Sequence, residues 1–103
     1  MGGPAEAMAA AVGYLAHAAR STAEVSQHLG RRGIDAERTA TTLRILVERG
    51  YVDDAALAER RAEELMLRRG CGRLKVAHEL TRRGLTDTVI DRAIAGVLEG
   101  QGE

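Results

Sequence analysis

Three kinds of residue in this 103-residue chain could do chemistry: one cysteine, three histidines and a run of arginines. Cys71 sits between Gly70 and Gly72, with Arg69 and Arg73 two positions away on either side. Nearby cations favour a thiolate, but a nucleophile also needs a base and a group that orients the base. His78 is seven residues on, and no third partner accompanies it. Cys71 is therefore expected to be a labelling site rather than a nucleophile. His17, His28 and His78 lack the paired Cys/His spacing of a metal centre. Asp53-Asp54 is most simply a helix cap with a favourable dipole partner. The sequence thus offers no catalytic residue, no cofactor-binding residue and no metal ligand, and the expected class is a non-enzymatic protein without a cofactor.

The arginines are more informative. The chain holds fifteen basic and fifteen acidic side chains, a formal net charge of zero, but the charges are partitioned. Residues 1–59 hold six basic and eight acidic groups, and residues 84–103 one basic and four acidic. Residues 60–83 hold eight basic groups, Arg60, Arg61, Arg68, Arg69, Arg73, Lys75, Arg82 and Arg83, against three acidic ones. Such a stretch can meet an acidic protein groove or nucleic-acid phosphate, and arginine suits the bidentate contacts both would require. The alternative is a solvated helix face: Arg68-Arg69 and Arg82-Arg83 each precede a glycine, where cations complement a helix C-terminus. Dipole complementarity does not account for Arg60, Arg61, Arg73 and Lys75. No aromatic residue interleaves the cations, so any DNA contact is expected at the backbone and not by base stacking.

The elements that must position these residues are helices. The only proline, Pro4, suits a first helical turn. The first helix is expected from about Pro4 to Ala19, with Met8, Ala11, Val12, Leu15 and Ala19 inward. Ser21 and Glu24 form a capping-box pair for the second, which carries Val25 and Leu29 inward and stops at Gly33. Asp35 caps the third, with Ala36, Ala40, Leu43, Leu46 and Val47 on one side as far as Gly50. Asp53 starts the fourth, with Ala58, Ala62, Leu65 and Met66 inward and Gly70 as its stop. The fifth runs from about Arg73 to Arg83, with Val76 and Leu80 inward and Gly84 beyond it. Thr86 caps the sixth, with Val89, Ile90, Ala93, Ile94, Val97 and Leu98 inward until Gly100. No segment alternates long enough to compete as a strand, so the fold class is all-α.

An internal repeat organises these helices. Leu29-Gly30-Arg31-Arg32-Gly33-Ile34 resembles Leu80-Thr81-Arg82-Arg83-Gly84-Leu85 at an offset of 51 residues, which also carries Val25 onto Val76, Leu43 onto Ile94 and Leu46 onto Val97. Two tandem three-helix repeats, residues 4–50 and 53–100, are expected to form an elongated helical module. Leu29 and Leu80 are expected as equivalent buried positions, and Gly33 and Gly84 as left-handed ones.

Composition narrows the class further. Hydrophobic content of 45% is too high for a disordered chain, yet Tyr14 and Tyr51 are the only aromatics. A core of Ala, Val, Leu, Ile and Met buries less apolar area per side chain, so modest stability is expected. A single cysteine excludes a disulfide scaffold and suits a reducing compartment. No apolar run reaches the roughly 20 residues of a membrane span. Ala16-His17-Ala18 loosely imitates a signal-peptidase site but lacks a basic segment before it. A cytoplasmic, monomeric protein is the expectation.

At this point the residues resemble a known family. Gly50-Tyr51-Val52-Asp53-Asp54-Ala55-Ala56-Leu57-Ala58, then Arg69-Gly70-Cys71-Gly72-Arg73-Leu74, then Glu79-Leu80-Thr81-Arg82-Arg83-Gly84-Leu85 look like the RecX family of regulatory proteins. Tyr14-Leu15-Ala16 and Ser21-Thr22-Ala23-Glu24-Val25 are similar to its opening helices, and the likeness covers about residues 8–98. The resemblance implies tandem three-helix repeats and a non-enzymatic regulator that docks along the groove of the RecA–DNA filament, generally as an inhibitor of RecA recombination and SOS activity. Its partners would be the RecA filament and, through phosphate contacts, single-stranded or double-stranded DNA. The eight basic residues of 60–83 are the expected contacts. A DNA-backbone-binding helical module that acts without RecA is the competing reading. The chain departs from the family pattern in carrying Leu57 where an aromatic is usual, and in ending after two repeats where the family usually has three. A clamp of two repeats is expected to span less of a filament groove.

Overall fold

The second helix illustrates how local sequence sets each element. Ser21 adopts an extended backbone, its hydroxyl accepts the Glu24 amide at 3.1 Å, and the Glu24 carboxylate accepts the Ser21 amide at 2.8 Å. Two N–H groups with no helical partner are satisfied reciprocally, which fixes the start of the helix. At the other end Gly33 takes φ +82°, and the Ile34 amide donates to the Leu29 carbonyl at 3.0 Å, closing the helix as a left-handed glycine turn.

The computed structural model describes residues 4–101 and is all-helical there. In chain order the helices are α1 (Pro4–Leu15), α2 (Thr22–Arg31), α3 (Ala36–Glu48), α4 (Asp54–Glu63), α5 (Arg73–Arg82) and α6 (Asp87–Gln101). A π-helical turn, Glu64–Arg68, prolongs α4. The chain divides into two compact units between Asp53 and Asp54.

In the first unit Ala7, Ala11, Val25, Leu29, Ile34, Leu46 and Val52 form the core, with Met8, Ala10, Tyr14, Leu15 and Leu43 packed around it. The expected inward faces of α1 and α3 are both rotated. α1 ends at Leu15 and not at Ala19, and Val12 stands 48% exposed while Ala7 is fully buried. Two alanines at the crossing let the neighbouring helices approach closely, and Val12 lies about 100° further round the helix. On α3 the buried positions are Thr39, Thr42 and Leu46, with Leu43 beside them; Ala36, Ala40 and Val47 face outward. The stripe set by Leu43 and Leu46 continues backward by three- and four-residue steps onto two threonines, so geometry overrides side-chain polarity there.

In the second unit Ala58, Ala62, Leu65, Val76, Leu80, Leu85, Ile90, Ala93, Ile94 and Val97 are buried together, and Cys71, Met66, Ala77 and Val89 pack against them. The expected α5 face, Val76 and Leu80, is fully buried. Leu98, expected inward, is 41% exposed. Thr86 caps α6 by accepting the Val89 amide at 3.3 Å, and α6 continues past Gly100. The fourth helix departs most from expectation. It does not remain α-helical to Gly70: the Arg69 amide reaches back five residues to the Glu64 carbonyl at 3.2 Å, and the Cys71 amide donates to the Leu65 carbonyl at 2.8 Å. The wider turn leaves Leu67 48% exposed while Leu65 stays buried.

The 51-residue repeat holds through most of the buried positions it predicts, with Leu43 only partly buried where Ile94 is buried. Leu29 and Leu80 are both fully buried, as are Val25 and Val76. Gly33 and Gly84 share φ +82°. The correspondence extends into the first helix of each unit, where Ala7 matches Ala58 and Ala11 matches Ala62, all fully buried.

Candidate functional site

The eight basic side chains of residues 60–83 all lie in the second unit, and its helices distribute them unequally. Arg61, on α4, is held inside the unit. Its Nε donates to Glu79 Oε2 at 2.8 Å and Nη2 donates to Oε1 at 3.3 Å, while Nη1 lies 3.1 Å from Glu64 Oε1. This fork ties α4 to α5 and to the π-helical turn. The hydrogen bond from Arg61 holds the Glu79 carboxyl below its usual range; partial burial opposes this, and the charges of Arg61, Arg69 and Arg83 reinforce it. The same pairing, led by the Glu79 hydrogen bond, raises the Arg61 guanidinium. Arg61 is therefore a tie between α4, α5 and the π-helical turn. Arg83 is half-buried and leans on the same carboxylate through its charge.

The remaining six face solvent. Arg60 and Arg68 line one shallow depression with Glu63 and Glu64, so their charge is locally balanced. Arg69 follows the π-helical turn, and Arg73 opens α5. Lys75 and Arg82 are exposed seven residues apart, on nearly the same side of α5. The only acidic residue of α5 is Glu79, which Arg61 occupies. The outward face of α5 therefore carries positive charge without an acidic neighbour on that helix.

Among the described residues no group of three or more His, Cys, Asp and Glu side chains could hold a metal ion. Cys71 is a free, half-buried thiol packed against the apolar core of its unit. Among the described residues no helix is long and apolar enough to cross a membrane.

One cluster has no signal in the linear sequence. In the first unit the Tyr14 and His28 rings stack with centroids 4.1 Å apart and planes 3° from parallel, and the Arg20 guanidinium carbon lies 4.3 Å from the Tyr14 ring centre. His17, Glu6 and Arg32 share the adjoining shallow groove. Tyr14 and His28 come from different helices, and only the crossing of α1 and α2 brings them together.

Two three-helix units in tandem, each with its own apolar core, define a helical-repeat protein. Residues 7–44 match the family description "RecX, first three-helix domain", and residues 53–94 match "RecX, second three-helix domain". The chain belongs to the RecX family. The regulatory protein RecX of Chlorobaculum tepidum is 36% identical over 86 residues, covering 84% of this chain and 54% of that protein. Its counterpart in a Mycobacterium species is 40% identical over 82 residues, covering 80% and 45%. The crystal structure of RecX from Lactobacillus salivarius, 21% identical, superposes with a TM-score of 0.86 over 89% of this chain and 60% of that one, which establishes the shared fold. The chain spans about half the length of the curated relatives it matches.

Proposed function

We propose that this chain is a non-enzymatic regulator that binds the RecA recombinase filament and lowers its ATP hydrolysis, strand exchange and SOS activity. The observation that carries the reading is the order of two RecX domains on one chain, the second presenting its cations outward. The relatives are named regulatory proteins, which accords with a role exercised by binding. The contacts are Arg60, Arg68, Arg69, Arg73, Lys75 and Arg82, which are exposed; Arg61 ties Glu79 and so joins the two basic helices, and Arg83 is half-buried beside them. Arginine fork geometry fits carboxylates on an acidic protein groove and phosphates of DNA held within it.

The test is RecA's DNA-dependent ATP hydrolysis with this chain added. A fall at substoichiometric amounts is expected, and an unchanged rate at molar excess sinks the proposal. Charge reversal at Arg69 and Arg73 is expected to weaken filament binding without unfolding the second unit. Unchanged binding by both variants would reduce the basic patch to a solvated face. Salt-steep binding to bare DNA, with no further gain on RecA-coated DNA, would replace the reading with a DNA-backbone-binding module.

A further inference from the structure

Leu74 is the most exposed large apolar side chain among the described residues, at 84%. It stands in the first turn of α5, whose buried residues are Val76 and Leu80, with Ala77 partly buried against the same core. At 100° per residue, Leu74, His78 and Arg82 follow one another at four-residue steps along the opposite side, with Lys75 beside them. All four are exposed. Scattered exposed leucines are ordinary. This one shares its face with two cations, Lys75 and Arg82, on a helix whose single carboxylate is turned to Arg61.

We infer that this face of α5 docks an acidic, amphipathic segment of a protein partner, with Leu74 inserted into an apolar socket and Lys75 and Arg82 paired to carboxylates around it. The inference rests on the proposed binding of the RecA filament and says which chemistry on the filament α5 meets: protein and not nucleic acid. Charge complementarity sets the sign of the partner. The leucine decides its class, because an alkyl side chain gives nothing to a phosphate backbone, and no Phe, Tyr or Trp lies on this face to stack on bases. An apolar anchor seated in a well-packed, desolvated socket is where truncating one side chain removes much of the binding energy. Lys75 beside it and Arg82 about two turns further along α5 would act mainly on association rate and on salt dependence.

Three probes separate the outcomes: RecA filaments on single-stranded DNA, the same DNA bare, and a synthetic helical peptide of alternating glutamate and leucine faces. Leu74→Ser is expected to weaken filament binding about tenfold while leaving its salt slope unchanged, and Leu74→Met is expected to restore it. Lys75→Glu with Arg82→Glu is expected to weaken binding and flatten the slope. The Leu74 methyl resonances are expected to shift with the filament and the peptide but not with bare DNA. Full binding by Leu74→Ser with unmoved Leu74 methyls overturns the α5 proposal and leaves the RecA reading standing. Peptide binding at Leu74 without filament binding overturns the RecA reading and leaves the α5 face standing. Silence at Leu74 with both filament and peptide overturns the α5 proposal whatever the filament does. A shift of the Leu74 methyls by bare DNA, with an equal loss of DNA binding in Leu74→Ser, makes α5 a nucleic-acid face and overturns the proposal. Circular dichroism of each variant checks that the helices persist, as a change at so exposed a site should permit.

Discussion

The two units share an apolar skeleton and differ in the polar ties laid over it. At the 51-residue offset His28 corresponds to Glu79. In the first unit His28 stacks on Tyr14 of α1; in the second Glu79 accepts from Arg61 of α4. The opening helix is thus tied to the middle one by ring stacking in one unit and by an ion pair in the other. Ser21, with its capping box, corresponds to Gly72, which has no side-chain cap. Thr39 and Thr42 stand where the second unit has Ile90 and Ala93, and all four are buried. Burial pattern and glycine turns are therefore what the three-helix fold demands. Caps and cross-helix ties can be exchanged without changing it, and that freedom lets the second unit carry charge outward.

The largest effects should be the ones the two units share. Leu29→Ala and Leu80→Ala each remove a fully buried side chain and should cost about 2–5 kcal/mol. Amide exchange of α2 and α5, read residue by residue, checks both in one chain. Losses that are large in one unit and negligible in the other would break the equivalence of the cores. Next come Gly33→Val and Gly84→Val, which force a β-branched residue to φ +82° and should cost about 1–3 kcal/mol each. No side-chain clash explains the cost at Gly33, because an added Cβ there meets nothing within 4 Å. A tolerated valine would mean that the turn can re-form without a left-handed residue.

Much of this skeleton was legible in the sequence because it depends on local rules. Leu29 and Leu80, the two glycine stops and the Ser21–Glu24 box follow from spacing and capping chemistry alone. Val12, Val47 and Leu98 were misplaced for a single reason. Hydropathy identifies residues that could be buried, but which side of a helix is buried depends on what packs there. Ala7 and Ala11 occupy the crossing because they are small, and the threonines of α3 follow the geometry set by Leu43 and Leu46. The π-helical turn was not legible, since a five-residue hydrogen bond leaves no periodic mark over so short a stretch. At the candidate site the charge partition was visible, but the pairing of Arg61 with Glu79 was not, because the two are brought together by the crossing of two helices.

The ion pair predicts an acid sensitivity in the second unit. Arg61 lowers the folded pKa of Glu79 from its ordinary value of 4.5. The pair's contribution is therefore fully present above that value and is lost as pH falls through the lower, folded one. The Arg61 and Glu79 side chains are 28% and 37% exposed, so solvent screening keeps the gain at about 0.2–1 kcal/mol. Protection of α5 amides should decline on acidification across this range more than that of α2, and Glu79→Gln should abolish much of the difference. An equal decline in both units, or no change in Glu79→Gln, would remove the ion pair as its cause.

The smallest expected effects test whether the missing cap belongs to the fold or only to this copy of it. Gly72 already has the backbone of a helix-capping residue, φ −79° and ψ 169°, and an added Cβ meets nothing within 4 Å. Gly72→Ser should therefore place a hydroxyl where Ser21 has one and gain a few tenths of a kcal/mol, about what Ser21→Gly should lose. The gain should fall short of the full Ser21 arrangement, because Lys75 occupies the position of Glu24 and supplies no carboxylate to accept the backbone amide of residue 72. Lys75→Glu on the Gly72→Ser background would complete the box and stabilise α5 further. It would also reverse one of the cations that α5 presents. If the completed box raises α5 protection while filament binding falls, the absence of a cap in the second unit is the structural consequence of placing a lysine where the first unit keeps its glutamate.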